Sequence, residues 1–134
     1  MTLELQATPT EVMRAVEALE KFGRERELGE KVLFGLTLAL EECGSNIVNH
    51  ALRRDARQSF RVSFEHSSEA IIIELRDRGP EFDPTLAPVI GADVSDDDRP
   101  PGGWGIQFVR RYTDEIRYTR DDGENVLRLI KRLS

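Results

Sequence analysis

Glu41-Glu42-Cys43-Gly44-Ser45-Asn46-Ile47-Val48-Asn49-His50 breaks the local rules of the segment that contains it. Around it, Val32, Leu36, Ala39/Leu40, Cys43, Ile47 and Ala51 recur at close to a 3.6-residue period, which predicts one amphipathic helix from about Glu30 to Leu52. Yet glycine, serine and two asparagines fall inside that helix, each a poorer helix former than alanine, by up to about 1 kcal/mol for glycine. Such repeated violation marks a functional or closely packed site. Glu42 and Asn46 are four residues apart, so their side chains leave the same helix face one turn from each other. That spacing suits a carboxylate acting as a base beside an amide oxygen that holds a metal ion. The ordinary alternative is a solvated glutamate one turn from a surface asparagine.

Upstream, Leu3-Glu4-Leu5 alternates like a strand. Thr8-Pro9-Thr10-Glu11 then has the hydroxyl cap, early proline and acidic first turn of a helix start. Val12, Val16, Leu19 and Phe22 continue at helical spacing, to an end near Arg26, and Gly29 punctuates the break. Downstream, Phe60, Val62 and Phe64 alternate with polar residues, as in a half-buried strand. Ala70-Ile71-Ile72-Ile73-Glu74-Leu75 is rich in β-branched residues and predicts a central strand. Periodicity vanishes from Asp77 to Gly103, then a third helix runs from Gly105 to about Tyr112. Two closing strands, around Asp114–Thr119 and Asn125–Arg132, flank the hairpin signal Asp121-Asp122-Gly123. The order β-α-α-β-β-loop-α-β-β predicts an α+β fold, a two-layer sandwich with helices on one face of a mixed, mostly antiparallel sheet. One domain over residues 1–134 is expected.

Two further clusters resist explanation by propensity. Asp77-Arg78-Gly79-Pro80-Glu81-Phe82-Asp83-Pro84 follows the central strand directly. An aspartate there can accept a hydrogen bond from an amino group, and the glycine lets a flat ring approach the backbone. A plain Asp-x-Gly turn is the competing reading. Pro100-Pro101-Gly102-Gly103-Trp104-Gly105-Ile106 opens a helix with a glycine-rich loop, and free amides at a helix start form a ready phosphate site. Taken singly, such a loop is a weak signal.

Bulk properties narrow the function. The chain has 134 residues, 39% hydrophobic and 33% charged, with a net charge of −6. That balance excludes a broad basic surface for nucleic acid, while leaving room for a small phosphate ligand held by backbone amides and for a protein partner. One cysteine, Cys43, precludes an internal disulfide and fits a reducing compartment. The N-terminus has no apolar signal core and no run reaches the length of a membrane span, so a cytoplasmic location is expected. Cys43, His50 and His66 lack zinc-ligand spacing, and no Gly-x-Ser-x-Gly elbow supports a hydrolase triad.

In order, the three clusters resemble the GHKL ATPase superfamily, and the short chain resembles its anti-sigma-factor serine kinase branch, the RsbW-like proteins. Glu42-x-x-x-Asn46-x-x-x-His50-Ala51 is similar to that branch's N box, and Asp77-x-Gly79-x-x-Phe82-Asp83-Pro84 to its first glycine box. Gly102-Gly103-x-Gly105-Ile106, continuing to Val109 and Asp114-Glu115-Ile116-x-Tyr118, is similar to the second. Where many relatives carry a further glycine, this chain has Pro80-Glu81.

The resemblance implies an ATP-binding fold and a set of roles. Glu42 would be the general base for a partner's serine or threonine hydroxyl, Asn46 the ligand of a Mg²⁺ ion, and Asp77 the acceptor for the adenine amino group. Gly79, Phe82, Gly102, Gly103, Gly105 and Ile106 would shape the nucleotide pocket, with Ala87 to Pro101 as its lid. That lid is acidic, at Asp93 and Asp96 to Asp98, with Arg99 to offset it. Asn49 and His50 would buttress the helix. The implied partners are a sigma factor and an anti-anti-sigma (STAS-type) protein, with no direct nucleic-acid or membrane contact, and a homodimer is compatible. The competing reading is a partner-binding module of the same fold without catalysis. Retention of Glu42, Asn46 and Asp77 favours the kinase, since a pure binder needs no base beside a metal ligand. A sensor-kinase catalytic domain ranks last, for want of a phosphoacceptor-histidine helix pair.

Overall fold

A computed structural model describes residues 1–86 and 103–133. Strand β1, Thr2–Gln6, leads into helix α1, Pro9–Glu25. Thr8 caps α1 as expected, its hydroxyl oxygen accepting from the Glu11 amide at 3.2 Å, with proline in the first turn. Val12, Ala15, Val16, Leu19 and Phe22 form the buried face of α1.

Helix α2, Glu30–Asn46, buries Leu33, Leu36, Ala39, Leu40 and Cys43. Its stripe therefore starts at Leu33, with Val32 only partly buried beside it. The single helix expected to reach Leu52 ends as an α-helix at Asn46. Residues Ile47–Ala51 form a π-helical turn instead, closed by the Leu52 amide on the Ile47 carbonyl at 2.8 Å. Apolar spacing does not separate these outcomes, because Ile47, Val48 and Leu52 reach the core in the widened turn. Arg53 and Arg54 then reverse the chain with φ of 51° and 59°.

Gly44, one of the residues that broke the helical pattern, has a packing explanation. A β-carbon there would lie 3.1 Å from the Val12 side chain of α1.

Strands β2 (Ser59–His66) and β3 (Ala70–Asp77) precede a short 3₁₀ turn, Pro84–Leu86. Helix α3 (Gly103–Tyr112), which begins two residues earlier than the spacing suggests, leads to β4 (Glu115–Asp121) and β5 (Glu124–Arg132). The five strands order as β1-β2-β3-β5-β4, so β3 is the middle strand, as its composition predicts. All four described pairings are antiparallel. Asp122 and Gly123, at φ 49° and 76°, make the two-residue β4–β5 turn, and two positive φ angles match the right-handed twist of the strands.

Period-two alternation splits the sheet into unlike faces. Rows such as Leu3-Val62-Leu75-Leu127-Tyr118 and Phe64-Ile73-Leu129-Ile116 run across the strands and join the helices' apolar faces in one core. The opposite face is charged. There Arg61 makes two bonds to the Glu124 carboxylate at 2.7 and 2.8 Å, and Arg76 meets Glu74 at 2.6 Å. The result is a two-layer α+β sandwich with its helices on the apolar face of the sheet.

Candidate functional site

The apolar face of the sheet ends in a row that is polar. Alternation along β3 buries Ile71, Ile73 and Leu75 and then Asp77, which is 5% exposed. Directly opposite on β5 stands Asn125, equally buried. A buried carboxylate and amide need partners, and here they supply each other. Asn125 Nδ2 donates to Asp77 Oδ1 at 2.9 Å and to the Pro80 carbonyl at 2.9 Å. The Gly79 amide donates to the same Asp77 Oδ1 at 2.9 Å. At its other end, Asn125 Oδ1 accepts from the Phe82 amide, the Tyr118 hydroxyl and Arg120 at 3.2, 2.5 and 3.1 Å. Arg120 also donates to the Gly79 carbonyl at 2.8 Å. One asparagine thus ties the segment after β3 to the β4–β5 hairpin.

Above this row lies a largely apolar pocket. Asn46, Ile47 and Ala51 line it from α2 and the π-turn, and Ile106 lines it from α3. Phe82 and Pro84 come from the segment after β3, and Asp77, Tyr118, Asn125 and Leu127 from the sheet. Gly79 sits at its edge, where a β-carbon would come within 2.9 Å of the Ala51 carbonyl, the Ala51 side chain and Asp77. Glycine is therefore required there by close approach, which a plain turn does not demand.

Of the residues expected to act together, Asn46, Asp77, Phe82 and Ile106 share this pocket. Phe82 joins the network through its backbone amide, and the residue as a whole is 55% exposed beside the pocket it lines. Gly103 and Gly105 fall in the first turn of α3, where backbone amides lack helical partners. Gly102 and the expected lid, Ala87 to Pro101 with Arg99, lie outside the described residues. Asn49 buttresses the π-turn, accepting from Arg54 at 2.8 Å, and His50 is exposed.

Glu42 is half-buried on α2 and is not among the residues lining the pocket. Burial, with Glu41 adding repulsion, raises its carboxyl above the ordinary 4.5. A carboxylate whose proton affinity is raised is better suited to take a proton from a hydroxyl. Cys43 reaches the pocket wall, but burial and then Glu42 push its thiol up to about 12, so it stays protonated.

Among the described residues no group of three or more His, Cys, Asp or Glu could hold a metal ion. The Asn46 amide makes no hydrogen bond to them, leaving its oxygen available in the pocket. A divalent ion there would take Asn46 and the ligand's own oxygens, a donor set that suits Mg²⁺, which keeps few protein ligands.

Asn125 and Arg120 did not emerge from the sequence as site residues, and Tyr118 appeared there only at the end of the third cluster, with no role assigned. The signal that could have found Asn125 is its period: it stands two residues before Leu127 and four before Leu129, on the apolar face of β5. An amide at that position demands buried partners.

Residues 5–131 match the family model described as the histidine kinase-like ATPase domain. The chain is 31% identical over 130 residues to the serine/threonine-protein kinase BtrW of Bordetella bronchiseptica, covering 96% of this chain and 90% of that one. Its fold is similar to the crystal structure of the RsbU and RsbW domains of Rv1364c from Mycobacterium tuberculosis, with a TM-score of 0.66 at 17% identity. That likeness covers 99% of this chain and 32% of the other. A chain of the SiaB–SiaC complex from Pseudomonas aeruginosa gives the same TM-score at 9% identity, covering 99% of this chain and 89% of that one.

Proposed function

The chain belongs to the histidine kinase-like ATPase domain family, and from that premise we propose that it acts as one domain, binding Mg-ATP and phosphorylating a serine or threonine of an anti-anti-sigma partner. In the same reading it sequesters a sigma factor in the cytoplasm. The observation that carries the nucleotide reading is the buried Asp77 at the floor of an apolar pocket, with the Asn46 amide on the wall. Apolar walls with a few placed polar groups suit a flat aromatic ring with one recognition point.

ATP supplies the phosphoryl group and Mg²⁺ neutralises phosphate charge when both are bound. Asp77 accepts from an amino group on the ring, and Asn46 holds the ion. The first-turn amides of α3 face negative charge favourably. Glu42 takes the proton from the attacking hydroxyl. The serine/threonine-protein kinase relative supports the transfer step; the competing reading is a module of the same fold that binds its partner without catalysis.

Radiolabel transfer from the γ-phosphate to the copurifying partner, run beside nucleotide calorimetry, separates the two. Glu42→Gln should bind Mg-ATP as the native protein does and transfer about 10²–10⁴-fold more slowly, since a base matters mainly in the transition state. Asn46→Ala should lose Mg-ATP binding itself. A native protein that binds Mg-ATP but labels no partner would establish the binding module. Failure to bind Mg-ATP at all would remove the kinase and leave a module that binds its partner without nucleotide.

A further inference from the structure

Asparagine side chains are ambiguous in orientation, because the oxygen and nitrogen ends have the same shape. At position 125 the surroundings remove the ambiguity. Three donors converge on one end: the Phe82 amide, the Tyr118 hydroxyl and the Arg120 guanidinium. None of the three can accept in that geometry except the hydroxyl, so this end must be the oxygen. The amide nitrogen is thereby turned toward the Pro80 carbonyl and Asp77 Oδ1.

That orientation has a consequence for Asp77. Oδ1 receives two donors, from Asn125 and from Gly79. Oδ2 accepts no hydrogen bond among the described residues, although Asp77 lines the pocket. The carboxylate is pinned through one oxygen and offers the other as an acceptor.

We propose that Asn125 is the positioning residue that fixes the Asp77 carboxylate, and so sets the pocket's preference for a purine with an amino group at position 6 over one with an oxo group. This rests on the nucleotide reading above. Tyr118 and Arg120, by holding the asparagine oxygen, are part of the same device. A purine presenting an amino group finds an acceptor in Oδ2, whereas an oxo group meets a second acceptor and leaves both unpaired. Direct contact with the ring belongs to Asp77, and Asn125 acts through it.

The test compares ATP with ITP, which replaces the amino group by an oxo group and leaves sugar and phosphates unchanged. Binding is measured by calorimetry with Mg²⁺ for the native chain, Asn125→Asp and Asn125→Ser. The native protein should prefer ATP by about 100-fold or more, since a site built around a specific hydrogen bond rejects the mismatched analogue strongly. Asn125→Asp keeps the shape but replaces the donor by an acceptor, so the preference should fall below about tenfold at pH 7.5. A merely structural lesion would weaken ATP and ITP alike and leave their affinity ratio near the native value.

Failure of the native protein to bind either nucleotide would overturn the nucleotide reading, whereas equal native affinity for ATP and ITP would overturn this inference and leave Mg-ATP binding in place. A native preference that persists within about threefold in both Asn125 variants would overturn the inference alone. If neither variant folds, Tyr118→Phe carries the test, since it removes one of the three donors that orient the amide. Its ratio of ATP to ITP affinity should fall at least about threefold, and an unaltered ratio would overturn the inference.

Discussion

Gly79→Ala probes the closest backbone approach at the pocket. The added β-carbon would lie 2.8 Å from the Ala51 carbonyl oxygen, 2.9 Å from the Ala51 β-carbon and 2.9 Å from Asp77 Oδ1. Carbon atoms in contact settle at about 3.5–4.0 Å, so the approach to Ala51 falls short by roughly 0.6 Å or more. None of the three obstacles is the loose end of a long side chain. The first is backbone, the second is fixed to backbone, and the third is a carboxylate held by two donors.

Relief requires moving the segment after β3 away from the π-turn, an overpacking cost of about 1–3 kcal/mol. For a domain of this size that lowers Tm by roughly 3–12 °C, followed by circular dichroism without nucleotide. Mg-ATP affinity should fall as well, because the Gly79 amide loses its place on Asp77. Ala51→Gly removes one of the three contacts, so a double-mutant cycle should show a favourable coupling of about 0.5–2 kcal/mol between the two sites. A Gly79→Ala protein with native Tm, or strictly additive single and double variants, would refute the close approach.

Two other expectations follow from named contacts. The raised Glu42 carboxyl, caused by burial and then by Glu41, means the folded chain holds this proton more tightly than the unfolded one, from the ordinary 4.5 upward. Through that window the folded state carries more protons, so stability declines as pH rises; Glu42→Gln should abolish that decline in pH-dependent melting curves. Phosphoryl transfer should run the other way, slowing as pH falls through the same window because the base becomes protonated, and a transfer rate flat across it would exclude Glu42 as the base. Thr8→Ala should cost about 0.5–2 kcal/mol in urea unfolding through loss of the α1 cap, with exposed Thr10→Ala as a control near zero. Equal effects of the two would show that the cap bond contributes nothing.

Local physics made much of this protein legible from its residues. The Thr8 cap, the apolar faces of α1 and α2, the alternation in β2 and the Asp122-Gly123 turn each rest on forces acting within a few residues. The three ordered clusters were equally visible, and they place Asn46, Asp77, Phe82 and Ile106 in one pocket. Tertiary structure decided what those forces cannot reach. Whether Gly44 served chemistry or packing depended on Val12, on another helix. The change from α-helix to π-turn after Asn46 left the apolar spacing unaltered, so the period could not report it. Glu42 shares a helix face with Asn46 in sequence but not the pocket lining, because the lining depends on what packs against α2. Asn125 meets Asp77 only through the β3–β5 register, a pairing of residues 48 apart in the chain. Strand register is a long-range choice set by the whole buried face, and one asparagine among apolar residues does not declare its partner in advance.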